Sequence, residues 1–403
     1  MLDLCTCVNS LKHAYKREFM IADYILTIFL TLLISGGVVA VLFPSIVRFA
    51  TKNNFYDLPD DRHIHVGKVP RLGGVPFMPA MIIAIFVAFI TNSTFSPSQH
   101  ADEMFLPMKQ LLVAGIGAVI MYLTGLADDL SGVRYRYKFV TQTTSAALMC
   151  ASGVWIDNLH GFFGIHAIPV WVGVPLTIML VMLIVNSINL IDGIDGLASG
   201  LCIIGISAFA ALFAYCGYYR FLIVAVATIG CLIPFYVYNV FGQIGKNKMF
   251  LGDTGSLYIG YLLAFFAIKT TTIPVELSIL GGEQFFLICA YSMLLVPVFD
   301  VLRVFLKRIR RTRNPFLPDK THIHHKFLAL GFSMRQARWT IFAVAVFFFA
   351  LNMMLCMWNV NVTFIMLVDV VIWCSGHVVM TKRIIKRYQS PDIVTINTDL
   401  ITW

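Results

Sequence analysis

The sequence predicts an all-α integral membrane protein of about eleven transmembrane helices, with its chemistry in loops on the cytoplasmic face. Three observations carry that expectation. Of 403 residues, 59% are hydrophobic and 13% charged, and the mean hydropathy is +0.81. A chain of this length folded in water could not hide so much apolar surface, so lipid is its natural solvent. Apolar runs close to the ~20 residues that cross a bilayer as a helix recur along the chain. The basic residues sit in short loops between those runs, so the net charge of +9 reads as membrane topology and not as a nucleic-acid surface.

The expected spans are 21–46, 73–93, 108–126, 139–156, 169–189, 197–216, 219–241, 254–270, 284–305, 337–358 and 360–380. Residues 139–156 carry Thr and Ser among their apolar positions, and the turns at 217–219 and 359–360 are tight. An odd number of crossings puts the termini on opposite sides. Of the 30 Lys and Arg, 22 fall in loops 47–72, 127–138, 242–253 and 306–336 or in the tail 381–403, and six fall on the other side. That bias places the larger group in the cytoplasm, the N-terminus outside and the C-terminus inside a cell membrane. Three of the six (Lys12, Lys16 and Arg17) precede the first span, and a start at Met20 would remove them. The chain divides into an N-terminal segment (1–20), a polytopic membrane domain (21–380) and a cytoplasmic tail (381–403). No internal repeat stands out, which weighs against a transporter of duplicated halves. The nine cysteines form neither a disulfide framework nor a zinc pattern.

The acids are unevenly spread. All four Glu lie on the outer side or before the first span, while the cytoplasmic loops carry only Asp, and five of the ten His lie in two of those loops. Such a surface suits Mg²⁺ and phosphates. Loop one reads Pro70-Arg71-Leu72-Gly73-Gly74, where glycines allow a close backbone approach and Arg grips phosphate. Loop two holds Asp128-Asp129 and ends in Lys138. Adjacent carboxylates repel, and a cation or a raised pKa relieves them, whereas helix capping needs only one. Asn186, Asn189 and Asp192 are three apart and fall near one helical face, before the helix-breaking Asp192-Gly193 and Asp195-Gly196 steps. A row of oxygen ligands there suits a hard cation. Asp253 stands between Gly252 and Thr254-Gly255 at a helix entry, able to hold a metal while backbone N–H groups face phosphate. The fifth loop, His322-Ile323-His324-His325 after a basic run, reads as an anion grip; zinc would ask for a different ligand spacing. Asp300 and Arg303 are spaced for a local pair. Asp369 lies alone in the last span, and a structural partner is the expectation for it.

As an ordered set these motifs resemble the polyprenyl-phosphate N-acetylhexosamine-1-phosphate transferase family, over about residues 20–340. Within it they are most similar to the bacterial branch that makes undecaprenyl-diphospho-N-acetylglucosamine. The muramoyl-pentapeptide branch shares the Asp motifs but differs in the first loop and the His loop. The sequence departs from the family pattern at Asp60, where Asn is common, and at His63, where Lys is common. The resemblance implies an enzyme that moves N-acetylglucosamine-1-phosphate from its UDP-sugar to undecaprenyl phosphate and releases UMP. It implies Mg²⁺, or Mn²⁺ in its place, held by Asp253 and Asn189. Asp128, Asp129, Asp192 and Asp195 would be catalytic. His322, His324, His325, Arg71, Asn186, Lys138 and Arg303 would bind substrate. Another UDP-N-acetylhexosamine, UDP-muramoyl-pentapeptide, or a cation-coupled transporter are the alternatives, and a homodimer is left open.

Overall fold

A computed structural model of the chain describes residues 2–57, 69–95, 105–278, 282–310 and 321–388. The departures at Asp60 and His63 lie outside the described residues. Twelve α-helices are described: α1 (Leu2–Lys52), α2 (Phe77–Phe95), α3 (Phe105–Ser131), α4 (Tyr135–Ala151), α5 (Val170–Ile191), α6 (Leu197–Cys216), α7 (Tyr219–Phe241), α8 (Gly252–Thr271), α9 (Phe285–Arg310), α10 (Ile323–Ala329), α11 (Met334–Met357) and α12 (Val362–Tyr388). Two small antiparallel pairs accompany them: β1 (Tyr56–Asp57) with β2 (Val69–Pro70), and β3 (Asn158–Phe162) with β4 (Ile165–Ala167).

Among the described residues, eight helices are long and apolar enough to cross a bilayer: α1, α3, α5, α6, α7, α9, α11 and α12. The chain is therefore an all-α integral membrane protein. Three other expected spans are helical as α2, α4 and α8 but stand outside that group of eight. The expected span at 139–156 is displaced. Its helix starts at Tyr135 and stops at Ala151, and the chain then turns through Gly153, at φ +94°, toward the β3–β4 hairpin. The mixed Thr and Ser content marked a weak helix end that hydropathy alone could not place.

α8 sits at the centre. It is apolar on every side (Leu257 to Ile268) and is buried continuously from Thr254 to Thr271, as befits a helix walled in by others. It packs against α3, α5, α6 and α9. Small residues let these backbones approach, the usual device where lipid gives no hydrophobic drive between helices. Gly260 backs onto Val185 of α5, and Gly36 of α1 onto Gly230 of α7.

The entry of α8 is locked to loop one. Phe250 N donates to Pro70 O at 2.8 Å, Gly73 N to Phe250 O at 3.0 Å, and Gly74 N to Leu251 O at 2.9 Å. The Gly73-Gly74 pair thus meets the chain's own backbone, where the sequence suggested a ligand. A Cβ on Gly74 would lie 2.1 Å from Gly255 N. Gly74→Ala is expected to cost about 1–3 kcal/mol through overpacking, read as a lower unfolding temperature in detergent.

Candidate active site

A cleft of about 870 Å³ opens where α3, α4, α5, α8, α9 and α10 meet. It is lined by twelve of the thirteen residues singled out from the sequence: Arg71, Asp128, Asp129, Lys138, Asn186, Asn189, Asp192, Asp195, Asp253, His322, His324 and His325. Arg303 is not in the lining.

Asp128 and Asp129 are neighbours on α3 but point to different partners, because successive residues on an α-helix are rotated by about 100°. Asp129 is buried beneath the first turn of α8. Its carboxylate accepts from Asp253 N at 2.9 Å, Thr254 N at 2.8 Å and Thr254 Oγ1 at 2.6 Å. It therefore caps α8 from another helix, placing an anion at the positive end of the dipole. These first N–H groups of α8 are spent on Asp129, so they do not face phosphate as the sequence suggested. Gly252, at φ +70°, makes room: a Cβ there would collide with Arg71 O and the Asp129 carboxylate. Arg71 Nε donates to Asp129 O at 3.1 Å.

Asp128 faces the cleft. It accepts from Val133 N at 2.7 Å and pairs with Lys138 Nζ at 2.8 Å. Lys138 also pairs with Asp253, so one ammonium bridges the carboxylates of α3 and α8. Burial pushes the Asp253 carboxyl up, but the charge of Lys138 and the hydrogen bonds around it win and hold it below the ordinary aspartate value. Lys138 is shifted the other way: burial works against its charge, yet Asp253 and Asp128 keep it above the ordinary lysine value.

On α5, Asn189 Nδ2 donates to Asp253 Oδ1 at 2.9 Å and to Ser256 Oγ at 2.8 Å, tying α5 to α8. Asn186 exchanges amide hydrogen bonds with Gln142 of α4, at 2.9 and 3.3 Å. The Asp192-to-Gly196 turn follows. Asp195 pairs with Lys248 at 2.5 Å, and its backbone carbonyl accepts from Arg338 Nη1 of α11 at 2.7 Å. Gly196, at φ +74°, is fixed by its N–H to Asn239 Oδ1 at 2.6 Å. Sequence reading missed Lys248, Arg338, Asn239 and Gln142, all of which brace this wall.

The histidine wall hangs on Asp300. This acid, fully buried on α9, accepts from Arg303 Nη2 at 2.8 Å and Ile323 N at 2.9 Å, and its Oδ2 lies 2.8 Å from His322 Nδ1. Arg303 also reaches Thr321 O, at 2.5 Å. It braces the loop from behind, away from the cleft to which the sequence assigned it. His324 is stacked parallel to His322 and lies over Gly193, where any Cβ would strike its ring. Burial, reinforced by the neighbouring histidines, holds His324 well below the ordinary histidine pKa, so it is neutral at pH 7. Asp369 has the structural partner expected of it: its Oδ2 accepts from Asn352 at 2.9 Å.

No group of three or more His, Cys, Asp or Glu side chains among the described residues forms a ready metal site. The donors Asp128 and Asp253 nonetheless suit a hard divalent cation in kind. They are all-oxygen, and their two negative charges share a single lysine.

An acid- and histidine-lined cleft let into a helical membrane bundle is the form of a membrane-embedded group-transfer enzyme. The family described as glycosyl transferase family 4 matches residues 111–271. The chain is 27% identical over 330 residues to the probable undecaprenyl-phosphate N-acetylglucosaminyl 1-phosphate transferase of Bacillus subtilis, covering 82% of this chain and 85% of that protein. It is 30% identical over 294 residues to the decaprenyl-phosphate N-acetylglucosaminephosphotransferase of Mycobacterium leprae, covering 69% and 71%. It is 25% identical over 296 residues to the undecaprenyl-phosphate alpha-N-acetylglucosaminyl 1-phosphate transferase of Escherichia coli K12, covering 72% and 73%. The chain belongs to glycosyl transferase family 4, as a membrane glycosyl-1-phosphate transferase.

Proposed function

We propose that the protein transfers N-acetylglucosamine-1-phosphate from UDP-N-acetylglucosamine to undecaprenyl phosphate at the cytoplasmic face, releasing UMP and starting a cell-envelope polysaccharide. The observation that carries this is the meeting of Asp128, Lys138 and Asp253 in a cleft that the histidine loop also lines. That arrangement can neutralise and orient a diphosphate between cations and hard-ion ligands.

An oxygen of the lipid phosphate attacks the β-phosphorus, and the bond from that phosphorus to the bridging oxygen breaks, so the α-phosphate leaves as UMP. Little covalent chemistry is asked of the protein; positioning and charge neutralisation supply most of the rate. Asp128 holds or accepts the proton of the incoming phosphate, because the Asp129 carboxylate is committed to α8. Lys138 keeps Asp253 ionised. His324 and His325 orient the diphosphate, and His322 anchors their helix on Asp300. Asp253 would hold Mg²⁺, with Asn189 and Asp192 beside it, and the ion would supply charge neutralisation at the diphosphate.

UMP release by the purified chain is expected to need both a UDP-sugar and undecaprenyl phosphate, to stop with EDTA and to return with Mg²⁺. Among UDP-sugars, N-acetylglucosamine is expected to turn over fastest. Turnover undiminished by EDTA would sink the metal assignment, and a faster N-acetylgalactosamine or muramoyl-pentapeptide donor would sink the sugar.

A further inference from the structure

α10 presents the histidines from its first turn, yet it is seven residues long. An isolated helix that short has no stability of its own in water. Asp300 holds its N-terminal end. Its other end is held by the last helix. Lys326 is buried, and its Nζ donates to Thr381 Oγ1 of α12 at 3.0 Å. The Thr381 hydroxyl donates to His377 O at 2.8 Å, which fixes the rotamer that accepts from lysine. Where α10 ends, Leu330 O accepts from the Arg387 guanidinium, and Gly331, at φ +90°, leaves no space for a Cβ beside it.

α12 is otherwise a peripheral helix. Phe364 and Val371 are exposed in the manner of lipid-facing residues, and no α12 residue lines the cleft. Its one inward stripe, Asp369, Trp373, His377 and Thr381, recurs every four residues and is buried along its length. The polar end of that stripe stops at Lys326, the residue next to His325.

We infer that Lys326 and Thr381 are positioning residues, through which α12 sets the angle of α10 and so the place of its histidines against the sugar-nucleotide diphosphate. The inference rests on the histidine role proposed above. It makes the last helix part of the donor site without touching donor. Cutting the link frees α10 to tilt, which weakens donor binding. Because the histidines are assigned to the donor, acceptor binding is expected to stay as it was.

The test uses the full chain in detergent, with UMP release followed while UDP-N-acetylglucosamine and undecaprenyl phosphate are varied in turn. Thr381→Val keeps the volume and removes the acceptor. It is expected to raise KM for the nucleotide sugar about three- to tenfold, the worth of one ordinary hydrogen bond, with KM for the lipid unchanged. Thr381→Ser keeps the hydroxyl and is expected to stay near the wild-type KM. Lys326→Met should match Thr381→Val, and the double variant should be no worse than either single one, since both cut the same link. A role in stability alone would lower the unfolding temperature and leave the donor KM in place, and that result overturns the inference, as do additive effects or an equal rise in both KM values. His324→Ala and His325→Ala separate the two claims. If they raise the donor KM while Thr381→Val does not, the link to α12 is wrong. If they leave the donor KM unchanged, the histidine role itself is wrong and the inference falls with it.

Discussion

Asp128→Asn is expected to cut kcat by about 10²–10⁴-fold, the range for a lost proton-transfer or charge-holding group, with no change in unfolding temperature. Asp129→Asn is expected to lower both. The two substitutions are chemically identical and one residue apart, so the contrast isolates geometry. Asp128 pairs with Lys138, abuts the Asp253 carboxylate and accepts from Val133 N at the cleft, and an amide of the same shape can keep the bond from Val133 N. Asp129 is enclosed by three donors, two of them backbone N–H groups of α8. An amide offers one oxygen where two are used, and its NH₂ would face donors. Each buried donor left unpaired costs about 1–3 kcal/mol. The α8 entry would loosen, and Asp253 with it. UMP release and thermal unfolding of both variants check this, and equal unfolding temperatures for the two would refute the division of labour.

That division shows what the sequence could reveal. Acids in a chain that is 13% charged stand out, so the five motifs were legible, and the structure brings twelve of the thirteen residues to one cleft. Eight of the eleven expected spans match helices long and apolar enough to cross a bilayer, whereas α2, α4 and α8 fall outside that group, and Thr and Ser diluted the signal where α4 ends at Ala151. Roles were less legible. Nothing in Asp128-Asp129 says which carboxylate faces α8, because that depends on how α3 is rotated against a helix more than a hundred residues on. The Asp195 pairing with Lys248 spans 53 residues and leaves no periodic trace. Lys248 read as an ordinary topological charge. The Gly73-Gly74 pair signalled a close approach correctly but not its object, since a tight chain crossing and a ligand contact demand the same residue.

Asp300→Asn carries the other large effect, and it follows from the same design as Asp129. Each is a buried carboxylate on a long membrane helix that caps the first turn of a neighbour bearing the chemistry: α8 with Asp253 in one case, α10 with the histidines in the other. In sequence Asp300 suggested only a local pair with Arg303. In the fold it also collects His322 and Ile323 N, fully out of solvent. Removing its charge strands Arg303, whose Nε already has no partner among the described residues. Breaking one side of a buried pair costs about 3–5 kcal/mol, more than the net worth of the pair, because the remaining charge stays buried uncompensated. Asp300→Asn is therefore expected to lower the unfolding temperature and to raise KM for the UDP-sugar by more than the Lys326 and Thr381 variants do, since it releases the end of α10 that bears the histidines. Arg303→Met in the same background should recover part of the stability, by removing the stranded charge, without restoring donor affinity, because the cap on Ile323 N is still missing. Recovery of both together would mean that the ion pair alone mattered and that Asp300 does not hold the histidine helix.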